Sequence, residues 1–178
     1  LGLPNSINYF LARAESNKER QKFLSVYYTL STLLSIIVGI VLVCSIPLLE
    51  WYFKNPLIKS FFYFLAIYPW ATLIQSGIEN ILVVYQKTNY LMVYRISNSF
   101  LLLFIILVVQ ILHWNFQAYM ILFVAVQTIY AIAVYLISNK LADGIRPRFN
   151  WGLCKTIFAF SIPIGLATVI GTLNIELD

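Results

Sequence analysis

The stretch FLSVYYTLSTLLSIIVGIVLVCSI (Phe23–Ile46) runs for 24 residues without a formal charge. A helix rises about 1.5 Å per residue and the hydrocarbon core of a bilayer is about 30 Å thick, so roughly 20 apolar residues cross it. Phe23–Ile46 is long enough, and so are Ser60–Tyr85, Tyr90–Leu112, Gln117–Ile137 and Thr156–Ile175. Only two of these five windows contain a charge, Glu79 in one and Arg95 in another. Leu1–Ala12 reads as the last part of a further helix. The runs are continuously apolar rather than alternating, which argues against barrel strands. The expected fold is all-α, a polytopic transmembrane helical bundle.

Composition agrees. The chain has 178 residues, 61% hydrophobic and 11% charged, with a mean hydropathy of +0.82. A soluble domain carries roughly 45–50% apolar and about 25% charged residues. Aromatic residues make up 16% and low-complexity tracts are absent, so disorder is excluded as well. Leu1 opens inside one apolar stretch and Asp178 closes directly after another, so we expect an internal piece of a longer protein.

The net charge of +5 does not point to nucleic acid, because the basic residues fall in short connections between spans rather than on one face. Arg13–Lys22 holds Arg13, Lys18, Arg20 and Lys22, the Gln86–Asn89 turn holds Lys87, and Ser138–Lys155 holds Lys140, Arg146, Arg148 and Lys155. The alternate connections hold only Lys54 and Lys59 in Pro47–Lys59 and no Lys or Arg around His113–Phe116. By the positive-inside rule the basic set is expected to be cytoplasmic. Trp51 and Trp114 then fall at the outer boundary and Trp151 at the inner one, with His113 a boundary residue beside Trp114. Cys44 and Cys154 fall on opposite sides, too far apart for a disulfide, and are expected as free thiols.

Polar residues inside the spans are the main functional signal. Thr72, Gln75, Ser76, Glu79 and Gln86 recur at helical spacing and suggest a shared aqueous cavity. Thr29, Thr32, Ser35 and Gly39 form a small-residue face, better explained by close helix packing. Ser161, Gly165, Thr168 and Thr172 form another, beside Gly171, Asn174 and Asp178, and Gln127 is the main polar residue deep in its span. Glu79 and Arg95 each lie eight positions from Lys87 on opposite arms of a tight hairpin, hence at equal depth. An unpaired Arg at a helix centre costs about 2.5–3.5 kcal/mol on the insertion scale, so pairing is expected. Arg95 can also snorkel towards the cytoplasm. The pair fits a transport cavity and fits equally a salt bridge with no transport role. Pro69 and Pro163 are expected to kink their helices. A phosphate-cradling loop, a metal-spaced cluster and a nucleophile with a nearby base are all missing from the pattern, so we expect neither an enzyme, nor a metal, nor a cofactor.

Two stretches resemble a known family. Leu1-Gly2-Leu3-Pro4-Asn5-Ser6-Ile7-Asn8-Tyr9-Phe10-Leu11-Ala12-Arg13 resembles the end of the second transmembrane helix of the O-antigen and capsule repeat-unit flippases. These polysaccharide flippases belong to the multidrug/oligosaccharidyl-lipid/polysaccharide exporter superfamily. Ser16-Asn17-Lys18-Glu19-Arg20 is similar to their following cytoplasmic connection. Phe160-Ser161-Ile162-Pro163-Ile164-Gly165-Leu166-Ala167-Thr168 resembles the start of their seventh helix, and Gly171-Thr172-Leu173-Asn174-Ile175-Glu176-Leu177-Asp178 its polar end. The resemblance implies that 1–155 forms part of an N-terminal lobe, from the end of helix two to helix six and the linker, and that 156–178 starts a second lobe.

It also implies a function. An undecaprenyl-diphosphate-linked repeat unit would be flipped across the cytoplasmic membrane for polysaccharide biosynthesis, such as that of lipopolysaccharide O-antigen or capsule. A hydrated, partly cationic cavity would lower the cost of passing the diphosphate. The cavity candidates are Arg95, Glu79 and Gln75, and the candidates for coupling to an energy source are Asp178 and Glu176. Expected partners are membrane lipid, the lipid-linked oligosaccharide and other polysaccharide-assembly proteins, with no nucleic acid. Three alternatives stay open: a drug/cation antiporter, a peptidoglycan-precursor flippase of the same superfamily, and a membrane enzyme such as an O-antigen polymerase. The antiporter would need acids deep in the spans, the precursor flippase several embedded cations, and the polymerase a long external loop.

Overall fold

The computed structural model describes residues 3–177, apart from the side chains of 56, 57, 63, 168, 169 and 171–177. It is all helical: α1 (Leu3–Arg13), α2 (Asn17–Cys44), α3 (Ile46–Phe53), a 3-10 turn (Pro56–Phe61), α4 (Phe62–Ser76), α5 (Ile78–Val84), α6 (Thr88–Ile111), α7 (Phe116–Leu141) and α8 (Trp151–Leu177). Four stretches, Asn17–Cys44, Ile58–Val84, Thr88–Ile111 and Phe116–Leu141, are long and apolar enough to cross a membrane, and Trp151–Ala167 adds a shorter apolar helix. The chain is a multi-pass membrane protein.

The helices overrun the apolar windows because local capping, not hydropathy, sets their ends. Ser16 Oγ accepts the Glu19 N–H at 3.3 Å, and the Glu19 carboxylate accepts the Glu15 N–H at 3.1 Å. These bonds start α2 at Asn17, so Lys18, Arg20 and Lys22 ride on helical turns, where a loop was expected. Asn115 caps α7 through the Ala118 N–H at 2.9 Å, and Asn150 caps α8 through the Leu153 N–H at 3.1 Å. The second cap moves the start of the last span from Thr156 back to Trp151. At the other ends, Gln86, His113 and Asp143 adopt left-handed backbone. This lets Lys87, Trp114 and Gly144 donate back to the carbonyls of Leu82 (2.8 Å), Val109 (3.0 Å) and Asn139 (2.9 Å).

The expected Ser60–Tyr85 helix is interrupted, but not at Pro69. α4 runs through Pro69, as α8 runs through Pro163, and the interruption falls at Gly77.

Two compact units make up the fold. The first comprises residues 1–30, 76–88 and 137–178, and the second residues 31–75 and 89–136. In the first, α1 packs on α5 and α8. Asn80 Nδ2 donates to the Pro4 carbonyl at 2.7 Å, and Asn8 Nδ2 to Asn80 Oδ1 at 3.1 Å. Ile7, Leu11, Leu24, Tyr27, Ile81 and Ile157 form its fully buried centre. Gly77 lies against this centre: a Cβ there would come within 2.6 Å of Ile7 Cδ1 and 2.8 Å of the Tyr27 hydroxyl.

In the second unit, Gly39 brings α2 against α4, where an added Cβ would lie 2.8 Å from the Ala66 carbonyl oxygen. Of the small-residue face expected here, Gly39 is the point of close packing. α4 meets α7 through aromatic rings, with Phe64 stacked on Tyr68 at 4.6 Å and Tyr68 against Phe123 at 5.6 Å between centroids. Such pairs contribute about 0.5–1.5 kcal/mol each beyond the area they bury.

Candidate functional site

The polar side chains of the second unit form a layer across three helices. Gln75 of α4 and Gln127 of α7 are both buried, and Gln75 Nε2 donates to the Gln127 side-chain oxygen at 2.9 Å and to its carbonyl at 3.0 Å. Three residues further along α7, hence on a neighbouring part of the same face, the Tyr130 hydroxyl donates to the Tyr94 carbonyl of α6 at 2.8 Å. It also pairs with the Ser97 hydroxyl at 2.7 Å, and the Tyr94 and Tyr130 rings stack at 5.5 Å. Next to Ser97, Asn98 Oδ1 is buried without a hydrogen-bond partner among the described residues. α7 thus bonds to α4 through Gln127 and to α6 through Tyr130.

Of the residues singled out from sequence, Gln75 and Gln127 sit in this layer. Arg95 follows Tyr94 on α6, exposed, with its carbonyl accepting the Ser99 hydroxyl at 3.2 Å. Glu79 is half-buried on α5 in the first unit, beside the Asn80 that holds α1. The stripe from Thr72 to Glu79 is consequently divided between two helices at Gly77. Asp178 lies outside the described residues, and so do the side chains of Glu176, Thr168, Thr172 and Asn174.

Tyr94, Ser97, Asn98 and Tyr130 were not anticipated. Tyrosine counts as apolar in a hydropathy window, so the matching three-residue spacings, Tyr94 to Ser97 and Gln127 to Tyr130, went unseen. That spacing was the available signal.

The arrangement is made of hydrogen-bonding groups rather than nucleophiles and bases. Amides and hydroxyls within membrane spans can exchange their partners for the hydroxyls of a polar ligand. Gln75→Leu should destabilise the protein by about 1 kcal/mol, because it strands the Gln127 amide, and Gln75→Leu/Gln127→Leu should recover most of the loss. A double-mutant cycle on unfolding in detergent measures this. A coupling energy indistinguishable from zero would remove the pair from the layer.

The family described as "Polysaccharide biosynthesis protein" matches residues 7–178, nearly the whole chain. No curated protein and no solved structure matches it.

Proposed function

Because this chain belongs to the polysaccharide biosynthesis protein family, we propose that it moves a lipid-linked oligosaccharide across the cytoplasmic membrane of a bacterium. The cargo is an undecaprenyl-diphosphate-linked repeat unit, destined for a surface polysaccharide such as O-antigen or capsule. The activity is transport rather than bond chemistry. The observation that carries the reading is the polar layer Gln75–Gln127–Tyr130–Ser97, with Arg95 next to Tyr94 in sequence, on helices long and apolar enough to cross a membrane.

A glycan headgroup crossing a bilayer must exchange its water for other hydrogen-bonding partners, and the diphosphate needs positive charge to offset its desolvation. The layer supplies donors and acceptors at membrane depth, and Arg95 supplies a cation on a span. The prenyl chain remains in lipid throughout. Membrane lipid and other polysaccharide-assembly proteins are the partners this role implies.

The test is flux of lipid-linked oligosaccharide in vesicles containing the full-length protein. Arg95→Gln should lower the flux at least about tenfold, the expected loss when a buried anion is deprived of a charge-assisted partner. Glu79→Gln should lower it by a smaller factor. Unchanged flux in both single variants would remove both residues from the transport path. Absence of flux with the unaltered protein would refute the transport role.

A further inference from the structure

We propose that the basic end of the first unit contains a binding groove for the phosphate of an anionic lipid headgroup, distinct from the polar layer above. The groove has a volume of about 720 Å³, and Lys18, Lys22, Arg146 and Arg148 line it. That volume falls within the ~300–1,000 Å³ usual for ligand sites. Its one carboxylate is Glu19, which already accepts the Glu15 N–H at 3.1 Å. Among the described residues, none of the four cations has an ion-pair partner.

Two periodicities converge on the groove. Lys18 and Lys22 are four residues apart and share one face of α2. Arg146 and Arg148 are two apart on the non-helical segment that follows α7, and both line the groove. That segment is fastened along α2 by a ladder of polar residues at four-residue spacing. Gln21 Nε2 donates to the Asp143 carbonyl at 3.0 Å and to that of Gly144. The Ser25 hydroxyl oxygen accepts the Arg146 N–H at 3.2 Å, and Thr29 Oγ1 accepts the Arg148 N–H at 3.0 Å. Pro147, between the two arginines, has a restricted backbone torsion.

A connection that served only to mark the cytoplasmic side would need a number of positive charges, not fixed places for them. Here both arginines have their backbone anchored beside two lysines from a remote part of the chain. Guanidinium groups so held can meet phosphate oxygens in paired hydrogen bonds, with the ammonium groups adding point charge. The groove lies on the first turns of α2, and the uncharged run of that span begins at Phe23, the residue after Lys22. A lipid can therefore leave its phosphate among the cations and its chains in the bilayer. Basic pockets of this kind, at the cytoplasmic end of spans, hold anionic headgroups. The inference rests on the proposed function only for the leaflet that supplies the lipid.

Native mass spectrometry of the full-length protein tests it by counting bound lipid. The probes are phosphatidylglycerol, a polyprenyl diphosphate, phosphatidylethanolamine and inorganic pyrophosphate. Expected is a preference of about tenfold or more for at least one of the two anionic lipids over phosphatidylethanolamine. Which of them is preferred identifies the source of the phosphate. Lys22→Gln/Arg146→Gln/Arg148→Gln should abolish that preference, whereas Lys87→Gln/Lys140→Gln/Lys155→Gln, which removes equal charge outside the groove, should keep it within about twofold. If removing groove charges impairs insertion, Gln21→Ala/Ser25→Ala/Thr29→Ala retains every cation and only unfastens the segment; it should weaken binding about fivefold. Equal losses in the two charge triples, full affinity in the ladder variant, or binding of pyrophosphate without lipid would each overturn the proposal. The readout involves no transport, so a protein that binds lipid but moves no oligosaccharide counts against the function alone.

Discussion

Gly39→Leu should be the most damaging single substitution in the second unit. Even the first carbon of a side chain at this position would come within 2.8 Å of the Ala66 carbonyl oxygen. That oxygen belongs to the α4 backbone and cannot rotate away, so the two helices must part or bend. Overpacking typically costs 1–3 kcal/mol, and a backbone obstacle puts this case at about 3 kcal/mol or above. For a chain of this length the unfolding midpoint should fall by about 6–12 °C. Thermal unfolding in detergent, followed by circular dichroism, measures it. Removing the Ala66 methyl should not help, because the obstacle is not a side chain: Gly39→Leu/Ala66→Gly should melt no higher than Gly39→Leu. A midpoint unchanged by Gly39→Leu would mean that α2 and α4 do not approach so closely.

Gly77→Ala should also destabilise, by about 1–3 kcal/mol, but its damage should be repairable. The atoms in the way are Ile7 Cδ1 at 2.6 Å and the Tyr27 hydroxyl at 2.8 Å, both ends of side chains and both on fully buried residues. Ile7→Val deletes the first and Tyr27→Phe the second. Ile7→Val alone should cost about 0.5–1.5 kcal/mol, as a buried methyl deletion does. Combined with Gly77→Ala, the two deletions should recover most of the loss, because the new methyl fills the space they vacate. Strictly additive losses across that series would show that Gly77 serves something other than the close approach of α5 to α1 and α2. The contrast between the two glycines, one facing backbone and the other side-chain tips, is itself the test of the packing.

Much of this architecture was legible beforehand. A run of 24 uncharged residues at Phe23–Ile46 has no stable place in water, and backbone groups in lipid must be satisfied within the segment, so length and hydropathy lead directly to helices. Gly39 was recognisable as a packing position from its neighbours Thr32 and Ser35. The ends of the helices were less legible. The signals for them, Ser16, Asn115 and Asn150, are single polar residues outside the apolar windows, and a window average discards them. Gly77 was passed over in favour of Pro69, because proline announces a break through its own chemistry. A glycine does so only through what presses against it.

The candidate site divides the same way. Gln75 and Gln127 stood out individually as amides among apolar residues, but nothing in their positions 52 residues apart pairs them. Thr29 was grouped with Thr32, Ser35 and Gly39, since all four share a helical face, yet its hydroxyl oxygen holds the Arg148 N–H 119 residues away.

Hydropathy and charge, read along the chain, were enough to establish a helical protein of many spans with its cations gathered at alternate connections. They are properties of each residue in its solvent, and lipid and water sort residues one at a time. Which amide meets which, where two backbones touch, and that Arg146 and Arg148 share a groove with Lys18 and Lys22 became defined only in the packed chain. Those facts depend on distances between segments remote in sequence, and such distances exist only after the helices have found their neighbours.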